Sequence, residues 1–168
     1  MIPRPLFALF CGALLALAPA GLVAREKFPP EDLEIVEKRW PDAKITVTGL
    51  HYIILDEGMG ETPKGGAMVS VLYKGSLLND KVFDQVIDPD KAFKFRVARG
   101  VMIDGFDEAV GHMKRGERRL VIIPYELGYG TRGKLPEIPK RATLVFEITL
   151  ISFENPPALV PQPPSKKK

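Results

Sequence analysis

Residues 101–123 read VMIDGFDEAVGHMKRGERRLVII, and two periods meet inside them. Across Asp104–Met113 the apolar residues Phe106, Ala109, Val110 and Met113 recur at helical spacing. Arg118–Ile123 is then a short apolar run of strand length. Working outward, every neighbouring element reads as strand. Ala92–Val97 alternates with Phe93, Phe95 and Val97 on one side, and Met68–Tyr73 and the short Lys81–Asp84 precede it. Ile45, Val47 and Gly49 alternate with Thr46 and Thr48, and His51–Leu55 continues that strand. Ala142–Phe153 supplies the last strand, and Glu57–Gly60 and Pro63–Gly66 are turn clusters. About five strands around a single short helix, without βαβ repeats, specify a compact antiparallel α+β domain. A lead-in helix is expected at Glu31–Trp40, where Leu33, Val36 and Trp40 share a face and Pro41 stops the run.

The ends differ from this middle. The chain has 168 residues, 16 prolines and one cysteine, with 45% hydrophobic residues. Five prolines fall within residues 1–30 and five within 156–164. After Arg4, residues 6–24 read LFALFCGALLALAPAGLVA, closing on Ala18-Pro19-Ala20 and Leu22-Val23-Ala24. A cationic start, a short apolar core and small residues at its end describe a secretory signal peptide, cut after Ala20 or Ala24. The alternative is an uncut anchor, but Gly12, Pro19 and Gly21 interrupt a run that would need about 20 apolar residues. The expected organisation is a signal peptide at 1–24, a lead-in segment at 25–42, the domain at 43–153 and a disordered Pro/Lys-rich tail at 154–168. Export places the protein in a periplasm or the extracellular space, with membrane contact only through an uncleaved signal.

Composition removes several function classes. Cys11 lies within the signal, so the cleaved chain has no thiol for disulfides, nucleophilic catalysis or metal binding. Only His51 and His112 remain as histidines, not at ligand spacing, and no metal or cofactor is expected. Both are read as surface residues, His51 on a strand and His112 on the exposed side of the short helix. Gly128–Gly133 matches G-x-G-x-x-G, but Pro136 and Pro139 forbid the helix that a dinucleotide site requires. Of 24 cations, only Arg4 leaves with the signal; 23 against 21 acids is +2, and three of the cations are the tail lysines. Nothing in that balance calls for nucleic acid as a partner.

The aromatic residues carry more. Tyr73, Phe83, Phe93, Phe95, Phe106, Tyr129 and Phe146 are spread over nearly every element, and two bring hydroxyls. Such a set suits an apolar pocket with a few placed polar groups. Read from local sequence alone, Asp84 of Val82-Phe83-Asp84 is a turn-capping residue.

In order, the segments 71–78 (VLYKGSLL), 82–84 (VFD), 93–95 (FKF), 101–110 (VMIDGFDEAV), 113–119 (MKRGERR), 123–130 (IPYELGYG) and 138–146 (IPKRATLVF) are similar to those of the FKBP-type, macrolide-binding peptidyl-prolyl cis/trans isomerases. The resemblance covers roughly residues 45–153. It implies a half-wrapped antiparallel sheet around one short helix, with an aromatic pocket between them. It implies catalytic roles for Tyr73, Phe83, Asp84, Tyr129 and Phe146, and substrate contacts from Phe93, Met102, Ile103, Phe106 and Ile138. The Tyr129 hydroxyl and the Ile103 amide would bind peptide carbonyls, while Asp84 and Tyr73 shape the polar end. Phe106 stands where the family usually has Trp, Met102 where it usually has Val, and Lys134 and Glu137 occupy a loop where others often carry apolar residues. These departures bear on affinity and substrate preference more than on fold. The implied activity is X-Pro bond rotation in exported proteins, on unfolded or loop peptides, by a monomer that macrolide inhibitors could occupy. The alternative is an exported chaperone or peptide-binding module with weak or no isomerase activity.

Overall fold

The computed structural model describes residues 27–157, so the signal segment and most of the Pro-rich tail lie outside the described residues. The elements run α1 (Pro30–Arg39), β1 (Lys44–Ile45), β2 (His51–Asp56), β3 (Met68–Leu77), β4 (Val82–Val86), β5 (Phe93–Arg96), α2 (Asp104–Gly111), β6 (Arg118–Ile123) and β7 (Leu144–Glu154). All strands belong to one antiparallel sheet, ordered β1-β2-β6-β7-β3-β4. β5 shares an edge of β3 with β4: β4 pairs with Tyr73–Ser76 and β5 with Met68–Val71. The α+β architecture read from the sequence is therefore the observed one.

The strand count is seven rather than about five, and a glycine explains part of the difference. The run from Lys44 to Leu55 is not one strand. Gly49 takes φ +88° and donates its N–H to the Thr46 carbonyl at 3.0 Å, closing a turn. The chain doubles back, and β1 pairs with β2 through Lys44↔Tyr52 and Ile45↔His51.

Period-2 alternation divides the sheet into two apolar faces. Val121 and Ile123 of β6, and Leu144, Phe146, Ile148 and Leu150 of β7, join Phe106, Ala109, Val110 and Met113 of α2 in the main core. Ile122 and Val145 point the other way, into a second cluster with Phe28 and Val36 of the lead-in segment. His51 is consequently buried, 5% exposed, with Phe28 set edge-on at 4.9 Å. The surface position expected for it does not hold, because the lead-in segment covers that face. His112 does lie exposed at the end of α2, its Nδ1 2.8 Å from the Glu108 carbonyl oxygen.

Helix α2 sits close against β6. A Cβ at Gly105 would stand 2.5 Å from Cγ2 of Ile123, a branched and fully buried side chain with no room to yield. Alanine gains about 1 kcal/mol of helix propensity over glycine, whereas overpacking a core costs about 1–3 kcal/mol. Overpacking wins, so Gly105→Ala is expected to lower the urea midpoint at an unchanged slope, against the propensity scale.

Candidate functional site

The aromatic residues converge where β3, β4, β5, α2 and β7 meet. Phe106 lies at the centre, with ring centroids 5.5 Å from Tyr73, 5.2 Å from Phe146 and 5.9 Å from Phe95. Tyr73 meets Phe93 at 5.9 Å and Phe146 at 6.2 Å, and Phe83 meets Phe146 at 5.6 Å. Most of these contacts are edge to face, the arrangement that the ring quadrupoles favour. Phe106 is fully covered, Ile138 is 1% exposed and Phe146 3%. The solvent-facing rim consists of the half-buried Phe83, Phe93, Met102, Ile103 and Tyr129. Phe106 thus supports the floor from behind. Phe95, which stacks on Phe93 at 5.6 Å, belongs to the same supporting layer.

Local backbone features aim these side chains. Gly75 pairs with Asp84 and Ser76 with Val82, which leaves Phe83 as the extra residue of a bulge. The bulge lets two consecutive residues, Phe83 and Asp84, serve one site. Gly75 supplies the space: a Cβ there would lie 2.7 Å from Phe146 Cε1 and 2.8 Å from Phe83 Cζ. The strand expected from the sequence ends at Tyr73 and misses Gly75; an isolated glycine inside a longer strand is the signal that marks such a close approach.

The polar end is built across the same strand pair. Tyr73 lies opposite Val86, so Asp84, two residues back along β4, is its diagonal neighbour. The Tyr73 hydroxyl donates to Asp84 Oδ2 at 2.8 Å. Asp84 itself is exposed, while the Tyr73 ring is buried. Asp84 is therefore a partner of the ring cluster and caps no turn.

Two donors stand unused at the site. Ile103 precedes the first turn of α2; its carbonyl accepts from the Phe106 and Asp107 amides at 3.0 and 3.1 Å. Its own N–H, and the Tyr129 hydroxyl, donate to no group among the described residues. Asp107, a residue the sequence did not single out, accepts from the Ala98 amide at 2.9 Å and ties the 98–103 loop to α2. Across the site, Lys134 Nζ stands 5.8 Å from the Tyr129 ring. Among the described residues, no group of three or more His, Cys, Asp or Glu side chains could hold a metal ion. The arrangement offers apolar contact, two free donors and one oriented carboxylate.

Burial, the hydrogen bond to Asp84 and the negative potential of Asp84 all push the Tyr73 phenol above its ordinary value of 10.0. Folding favours the neutral phenol, so Tyr73 contributes stability below about pH 10 that is lost as pH rises toward the raised folded value. In a tyrosinate absorbance titration of the folded protein, the last step should vanish in Tyr73→Phe. Alkaline unfolding should also become less steep in that variant.

Comparison with known proteins gives the family of the chain. The family model described as FKBP-type peptidyl-prolyl cis-trans isomerase matches residues 60–151. FK506-binding protein 1 of Dictyostelium discoideum is 42% identical over 63% of this chain and 99% of its own length. FK506-binding protein 4 of the same organism is 40% identical over 70% of this chain, which spans only 32% of that relative. The crystal structure of FkpA from Escherichia coli superposes with a TM-score of 0.68 at 35% identity, covering 76% of this chain and 59% of that one. A family match over more than half the chain, with one relative matched along nearly its whole length, shows that the chain belongs to the FKBP-type peptidyl-prolyl cis-trans isomerase family.

Proposed function

We propose that the protein is a peptidyl-prolyl cis/trans isomerase that accelerates X-Pro rotation in exported proteins by non-covalent binding at the aromatic site. The observation that carries this reading is the combination of an apolar ring rim with two unused donors and a carboxylate oriented by Tyr73. Rotation about the imide faces a barrier of about 18–20 kcal/mol, while the two isomers differ by only about 0.5–1 kcal/mol. A catalyst therefore lowers a barrier and leaves the equilibrium alone. No bond breaks, so no nucleophile or metal is called for.

Water favours the planar imide because its hydrogen bonds stabilise the charge-separated resonance form. Seating proline against Phe83, Phe93, Phe146 and Ile138 removes that water and favours the less dipolar twisted geometry. The Ile103 amide and the Tyr129 hydroxyl hold neighbouring carbonyls of the peptide, while Met102 and Phe106 shape the proline seat. Asp84, held by Tyr73, faces the rotating carbonyl end. Phe106 is wholly covered, so proline reaches it through small outward shifts of the neighbouring rings. Substrates are proline-containing unfolded chains or loops, and a macrolide inhibitor would compete for the same rim.

A protease-coupled assay on a proline peptide tests the reading. The protein should accelerate isomerisation, and Asp84→Ala should lower kcat/KM by about tenfold, equivalent to roughly 1.4 kcal/mol of barrier. Combining Asp84→Ala with Phe146→Ala should abolish the acceleration, with circular dichroism confirming a folded domain. Retained kinetics in the folded double variant would reject the site. Suppressed aggregation of an unfolded client without acceleration would instead support a chaperone.

Export is part of this proposal and rests on Arg4, the apolar run from Leu6 and the small residues before Arg25. Among the described residues, no helix is long and apolar enough to cross a membrane. Sequencing the N-terminus of secreted or periplasmic material should give Gly21 or Arg25 as the first residue. An intact Met1 would mean an uncut anchor.

A further inference from the structure

The segment from Tyr125 to Thr143 carries two site residues, Tyr129 and Ile138, and its hydrogen bonds run almost wholly within itself. Gly130 N–H donates to Tyr125 at 2.8 Å, Gly133 to Tyr129 at 3.1 Å and Arg141 to Gly130 at 3.1 Å. Lys134 and Ile138 exchange both backbone bonds at 2.9 Å. Such a loop is coherent, yet its placement on the domain has to come from elsewhere. Ile138 in the main core, with Leu127, Tyr129 and Ala142 packed against that core, supplies an apolar anchor.

The other anchor is the lead-in helix on the far side of the sheet. The Thr143 hydroxyl, 2% exposed as a residue, donates to Asp32 Oδ2 in the first turn of α1 at 2.6 Å. Apart from the Leu127 amide on the adjoining Pro124 carbonyl, this is the only hydrogen bond among the described residues that joins the loop to another part of the chain. Lys27 Nζ adds an ion pair with Glu126 at 3.9 Å. The helix is itself well seated: Phe28 and Val36 are buried against Ile122 and Val145. At its other end, Arg39 donates to the Leu78 carbonyl at 2.6 Å and to Asp80 at 2.7 Å, reaching the hairpin between β3 and β4. That hairpin carries Tyr73, Phe83 and Asp84. The exposed Arg39–Asp80 pair alone would hold little. Burial of Phe28 and Val36 makes the attachment firm.

We infer that the lead-in segment, residues 27–40, is a brace of the site, and that Asp32 and Thr143 are positioning residues that set the Tyr129–Ile138 loop for substrate. The inference rests on the isomerase reading for its kinetic consequence and on geometry alone for its structural one. Neither residue hydrogen-bonds to a member of the ring cluster. Their effect passes through strand β7, which begins directly after Thr143 and carries Phe146, and through the loop that ends at Thr143.

The test uses the full chain, with kinetics and amide exchange measured on the same variants. Asp32→Ala and Thr143→Val should each raise KM by about three- to tenfold with kcat nearly unchanged, and the double variant should add little to either single one. Asn at position 32 keeps an acceptor and Ser at 143 keeps the hydroxyl, so Asp32→Asn and Thr143→Ser should restore KM. In Asp32→Ala, the amides of Gly130, Gly133, Lys134, Ile138 and Arg141 should exchange faster, while the β3–β7 ladder amides keep their protection. An unchanged KM together with uniform exchange would reduce α1 to a general stabiliser and overturn the inference. If the parent protein accelerates no isomerisation, the isomerase reading falls, and the amide exchange still decides whether α1 braces the loop.

Discussion

Strand β7 hydrogen-bonds to β3 on one side and β6 on the other, and at its start both of its faces are covered. There its side chains alternate between two apolar layers; farther along, Glu147 is partly exposed and pairs with Arg118. Phe146 turns toward α2 and the rings, whereas Val145 turns toward Phe28 and Val36. This one constraint links the parts of the molecule. The strand that floors the site also anchors the lead-in helix, and the loop with Tyr129 and Ile138 ends where β7 begins.

The site emerges from core packing with little added machinery. Phe106 and Phe95 are core residues that give the rim its support, and Tyr73 is a core residue whose hydroxyl reaches the edge. Burial is what makes Tyr73 a dependable donor, since its ring lies in the apolar layer and the phenol resists ionisation. Asp84 is exposed, and Tyr73 restricts its orientation without withdrawing it from solvent. A reaction that rotates a bond asks for such a surface: water excluded on one side and a few fixed dipoles on the other.

Much of this was legible from residue order. The helical spacing of Phe106, Ala109, Val110 and Met113 located α2, because a short amphipathic helix must turn that stripe to the core. The aromatics were recognisable as a set because so many elements contribute one. Other features depended on contacts distant in the chain. His51 reads as a polar residue in a strand until Phe28, 23 positions earlier, is seen to lie on it. The alternation through Lys44–Leu55 hides a turn, since Gly49 is neutral in a period-2 count yet free to take φ +88°. Phe83 and Asp84 are adjacent, and strict alternation would send them to opposite faces.

By itself, then, the sequence determined the class of fold, the identity of the rings and the polar groups among them, because periodicity and side-chain chemistry are local properties. Tertiary structure decided which of those groups cooperate. The bulge at Phe83 exists only in register with Gly75 and Ser76. The bond from Thr143 to Asp32 spans 111 residues. Each depends on strand pairing between segments far apart in the chain, and no local pattern encodes where such segments meet.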